Sequence, residues 1–142
     1  MARDIGNDLQ LYKILDQIKA KLIDSLKGYV PEPQMGISFS VEDNGTISLA
    51  ILGHVVVAKP RLVNMWDNDL VLEWKFVTAH TTGVIPIWGF YLFQDGNIYD
   101  ESTGAFNGAT TLYIADYQNQ YLGKKIVTNI YENLLASDIF KP

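Results

Sequence analysis

The chain has no cysteine and only two histidines in its 142 residues. The missing thiols exclude disulfides, thiolate nucleophiles and cysteine-ligated zinc. His54 and His80 stand 26 positions apart, outside any His-x-x-His or His-Glu-x-x-His pattern, so spacing supplies no metal site either. There is no glycine-rich phosphate loop, since Gly104 and Gly108 lack the preceding strand and the lysine that such a loop needs. The order Asp95-Gly96-Asn97-Ile98-Tyr99-Asp100-Glu101 puts its glycine too early for a calcium loop. We expect no cofactor and no metal.

Long apolar runs are missing too. None approaches the length needed to span a bilayer, and the residues after the polar opening MARDIGNDLQ are broken by Lys13, Asp16, Lys19 and Lys21, which leaves no signal-peptide core. A cytoplasmic protein without membrane contact is the expectation. Asn44-Gly45-Thr46 matches a glycosylation acceptor, but it reads better as a hairpin turn.

Basic charge is scarce where acidic charge gathers. Residues 1–34 balance to 0, residues 35–117 to −6 and residues 118–142 to +1. A phosphate backbone would be repelled by the middle segment, so nucleic-acid binding is not expected, whereas a basic partner protein is compatible with it. Hydrophobic residues make up 48% of a chain long enough to bury its own core, and no linker or repeat divides it. Residues 1–142 are therefore read as one domain.

What is present is clear periodicity. Leu11, Leu15, Ile18, Leu22 and Leu26 recur at spacings of four, three, four and four, one face of a helix over about residues 8–27. Asn7 or Asp8 is the expected cap, and Gly28, Pro31 and Pro33 the stop. The period then drops to two. Ile37, Phe39 and Val41 alternate with serines, Asp43-Asn44-Gly45 supplies a hairpin turn, and Ile47, Leu49 and Ile51 resume the alternation. Gly53 predicts a bulge or bend within a long strand, and Pro60 its end or an edge.

Met65 to Asp69 reads as a turn into LVLEWKFVT, which puts Leu70, Leu72, Trp74 and Phe76 on one face of an antiparallel strand. VIPIWGFYLF follows as a strand apolar on both sides, Asp95-Gly96-Asn97 as a second hairpin turn, and TTLYIADY as a further candidate strand. In LGKKIVTNIYENLLAS, Ile126, Ile130 and Leu134 predict a second helix over about residues 120–136. The fold class implied is α+β: an antiparallel meander sheet of five or six strands, with an N-terminal and a C-terminal helix packed on one face.

No catalytic set emerges. His80-Thr81-Thr82 resembles half of a paired His-x-Thr constellation, in which one histidine serves as base and the other as acid. The second histidine, in Gly53-His54-Val55-Val56, has no threonine, so His80 is read as a residue of a strand-end turn. Serines 38, 40 and 48 fall on the solvated phase of strands, and the paired acids 67/69 and 100/101 fall in turns.

The aromatic residues are the main functional lead. Trp66, Trp74, Trp88, Phe90, Tyr91, Phe93, Tyr99 and Phe106 fall within 41 residues of the acidic segment. Two helices can cover one face of such a sheet, which predicts spare apolar surface around Ile85, Ile87, Trp88, Phe90 and Tyr91. Trp88, Phe90, Tyr91, Trp66 and His80 are accordingly the candidate binding residues. The expected function is a non-enzymatic protein-interaction domain, such as a small inhibitor, an immunity protein or a chaperone-like adaptor. It would bind a partner protein through an aromatic, acidic sheet and form a homodimer. One alternative is a small-molecule-binding domain or enzyme with an apolar pocket between sheet and helices, lined by Trp88, Tyr91 and His80. Another is a structural subunit of a larger assembly such as a phage particle.

Overall fold

The computed structural model describes residues 4–65, 69–81, 83–100, 110–111 and 119–142. Helix α1 spans Ile5–Lys27, starting three residues earlier than the periodicity predicts because Asp4 caps it. The Asp4 carboxylate accepts from the backbone N–H groups of Gly6 at 3.0 Å and Asn7 at 3.3 Å. Leu15, Leu22 and Leu26 on its predicted face are buried. At the far end the Lys27 ammonium pairs with the Asp43 carboxylate, which lowers the pKa of that acid and ties the helix to the first hairpin.

Among the described residues eight strands follow: β1 Ser38–Val41, β2 Ile47–Ile51, β3 His54–Ala58, β4 Arg61–Met65, β5 Asp69–His80, β6 Gly83–Leu92, β7 Asn97–Asp100 and β8 Thr110–Thr111. Helix α2, Asn119–Ala136, closes the series. All pairings are antiparallel, in the order β1-β2-β3-β5-β6-β7-β8, with β4 paired to β5. The expected α+β architecture is present, with more strand segments than five or six for two local reasons.

The first lies at Leu52-Gly53. Both have left-handed backbones, φ 51° and 77°, and Ile51 faces His54 across them. That is a two-residue hairpin turn, not the bulge expected at Gly53. The second lies at Lys59-Pro60. Val56 opposite Thr78, Arg61 opposite Glu73 and Met65 opposite Asp69 share one register, so β3 and β4 are halves of one strand that the proline interrupts. The expected turn at 65–69 falls partly outside the described residues, as does most of TTLYIADY.

The 42–46 and 93–97 turns close alike. Gly45 N–H donates to Glu42 and Gly96 N–H to Phe93, both at 2.9 Å, and each glycine has a positive φ. A Cβ on Gly45 would lie 3.0 Å from Pro60 and 3.1 Å from the Lys19 stem. The Trp74 indole N–H donates to the Gly45 carbonyl at 2.8 Å, joining the turn to the core.

That core lies between the two helices and one face of the sheet. Trp74 stacks on Phe90 with centroids 5.0 Å apart, and Phe76 on Trp88 at 5.9 Å, each pair being cross-strand neighbours. A register shift after Phe76 inserts Ile87 as an extra residue, so Ile87 and Trp88 are both buried. From α2, Ile126, Ile130 and Leu134 pack into the same cluster. Among the described residues no helix is long and apolar enough to cross a membrane.

A groove along the C-terminal helix

Beyond the end of α1 the chain runs through residues 29–37 before entering the sheet, and it lies against α2. Tyr29 is held there by two contacts. Its ring meets Phe39 edge-on at 5.1 Å, and Gly123 of α2 sits directly beneath it. Only a glycine lets the ring approach so closely, since a Cβ would come within 2.6 Å of the Tyr29 Cβ and Cδ2, and nearer still to Cγ. Gln120 donates its side-chain amide to the Gly28 carbonyl, fixing the start of α2 to the end of α1.

With Tyr29 so placed, a groove opens between this segment and α2. Its first lobe, about 430 Å³, is lined by Tyr29, Val30, Glu32, Met35, Gln120, Lys124, Val127 and Thr128. The second, about 320 Å³, is lined by Met35, Ile37, Ile51, Leu52, Val127, Thr128 and Tyr131. Met35, Val127 and Thr128 belong to both, so the lobes are continuous. The volumes are those of small-ligand sites.

The two lobes differ in chemistry. The second is walled mainly by aliphatic side chains, with Met35, the Tyr131 ring and Thr128. The first carries a carboxylate, an ammonium, an amide and the Tyr29 hydroxyl. Burial, and then the nearby Glu32 carboxylate, push the pKa of that hydroxyl above its ordinary value. Four apolar side chains of the groove are well exposed: Val30 at 72%, Met35 at 52%, Leu52 at 46% and Tyr131 at 43%. Leu52 does so from a left-handed backbone that costs a leucine roughly 1–2 kcal/mol. It is the only non-glycine with positive φ among the described residues.

The residues singled out from sequence lie elsewhere. Trp88, at 2% exposure, and Phe90 belong to the aromatic core, so neither offers the open surface expected of it; their side chains point toward the helices. Ile87 is buried as well, while Ile85 is half-buried against the same core. Tyr91 is half-buried on the opposite face, between Glu73 and Tyr99 in a cross-strand row. Arg61 extends that row and bonds Glu73 at 2.8 Å. His80 is exposed at the end of β5, opposite Gly83 at the strand-end turn. Trp66 lies outside the described residues. The expected cavity among Trp88, Tyr91 and His80 is therefore replaced by a groove on the other side of the core.

Sequence reasoning passed over Tyr29, Glu32, Leu52, Lys124 and Thr128. Two signals were present. Leucine stands in Leu52-Gly53, where an asparagine or aspartate is the usual turn residue, and Tyr131 and Leu135 widen the apolar face of α2 beyond what the core absorbs. Among the described residues no three histidine, aspartate or glutamate side chains gather into a metal-binding group. No family model, curated protein or solved structure matches this chain.

Proposed function

We propose that this protein is a binding domain for an apolar ligand held in the groove between α2 and the 29–37 segment. One observation carries the reading. Trp88 and Phe90, expected to form a binding surface, are consumed by the core, whereas Met35, Leu52 and Tyr131 stay exposed around a continuous open volume. Exposed apolar side chains around a concavity are the ordinary signature of a ligand site.

A neutral fluorescent probe such as N-phenyl-1-naphthylamine tests this directly. We expect saturable binding that Thr128→Trp abolishes, because Thr128 is exposed and lines both lobes, so the indole fills the groove without disturbing the core. Undiminished binding to the folded variant would move the site elsewhere.

A second reading, a docking face for another protein or assembly subunit, has its own support on the outer side of the sheet. Ala50 pairs with Val55, and Ala79 with Val84; the register that sets Val56 opposite Thr78 places Val55 beside Ala79. The row is uncharged, with Val55 at 62% and Val84 at 68% exposure. Light scattering over a concentration series tests whether copies associate here. A mass above the monomer that Val55→Lys returns to the monomer supports this reading, and a monomer throughout removes self-association from it.

A further inference from the structure

The first lobe contains two opposite charges that do not meet. Glu32 stands on the 29–37 segment and Lys124 on α2, both lining the same volume. Glu32 accepts a hydrogen bond from the Gln34 side-chain amide at 2.7 Å, and no ion pair joins it to Lys124. Opposite charges free to approach in water ordinarily gain little by pairing, but a carboxylate and an ammonium on facing walls define complementary positions for a ligand with both charges. The adjoining lobe adds an aliphatic hollow lined by Ile37, Ile51 and Leu52. A molecule spanning both lobes therefore needs an ammonium and a carboxylate at one end and an apolar branch at the other.

Resting on the proposed groove, we infer that its ligand is a small zwitterion with an apolar side chain, a free apolar amino acid or dipeptide. The ligand ammonium faces Glu32, its carboxylate faces Lys124, and the side chain enters the aliphatic lobe beside Leu52. Polar groups at one end of a largely apolar site set orientation, while the apolar lobe supplies most of the affinity. The left-handed Leu52 fits this role, because the turn keeps a strained residue whose side chain forms part of the hollow.

Calorimetric titration of the full chain with leucine, phenylalanine and leucyl-leucine tests the class, with N-acetyl-leucinamide as the uncharged control. We expect one of the zwitterions to bind and the blocked compound to bind at least about tenfold more weakly, as loss of charged hydrogen bonds implies. Leucine against leucyl-leucine separates the amino acid from the dipeptide. Lys124→Gln and Glu32→Gln, both exposed changes, should each weaken the zwitterion about tenfold. If the probe binds but the zwitterions do not, or the blocked compound binds as well as they do, the ligand class is wrong and the groove stands. If neither probe nor zwitterion binds, both readings fail.

Discussion

Replacing Gly123 by alanine opposes two effects of known size. In an exposed helix the change stabilises by about 1 kcal/mol, because alanine loses less backbone entropy. Here the new methyl would sit 2.6 Å from two Tyr29 ring and side-chain carbons, inside any real contact distance. Tyr29 is buried and braced by Phe39, so it cannot yield by a small rotation. Either α2 shifts, at an overpacking cost of about 1–3 kcal/mol, or the ring leaves its site and forfeits about 1.5–3 kcal/mol of burial. The clash is at least as large as the propensity gain, and we expect a net loss of up to about 2 kcal/mol, or a few degrees in Tm. Urea unfolding followed by the fluorescence of buried Trp74 and Trp88 measures it. Adding Tyr29→Gly removes all three clashing atoms, so Gly123→Ala in that background should become neutral or stabilising. A stabilised single variant, or the same loss with and without Tyr29, would refute the packing argument and with it the wall of the first lobe.

Other changes probe separate parts of the structure. Trp74→Ala should cost about 3–5 kcal/mol in denaturant unfolding, since it empties a fully buried site and breaks the bond to the Gly45 carbonyl; a near-neutral result would put the core on the other face of β5. Leu52→Asn should raise stability by about 1 kcal/mol, because asparagine tolerates the left-handed turn position, and should weaken probe binding by opening the aliphatic lobe. Stabilisation with unchanged binding would detach Leu52 from the site. His80→Ala should stay within about 1 kcal/mol of the parent in thermal unfolding, as expected of an exposed residue at a strand end; a larger loss would reveal a buried partner.

Both helices, the two glycine-closed turns at 42–46 and 93–97, and the inward face of β5 were legible in the sequence, because each depends on residues within one turn or one pleat. The candidate site was not legible, and Trp88 shows why. Its strand reads as apolar on both sides, which fits a buried face or a spare one equally well. Only the Phe76–Trp88 pairing and the bulge at Ile87 decide that it turns inward. The groove depends still more on distant parts, since Tyr29, Leu52 and Lys124 come from three separate elements.

Local chemistry thus determined the elements: helical spacing in α1 and α2, alternation in the strands, and glycines where φ must be positive. Tertiary structure decided which apolar faces were used up and which were left open. Periodicity encodes a side chain's direction relative to its own backbone. Burial depends on what another element brings to that side, as Gly123 of α2 does when it draws close to Tyr29 and leaves the adjoining space as a groove.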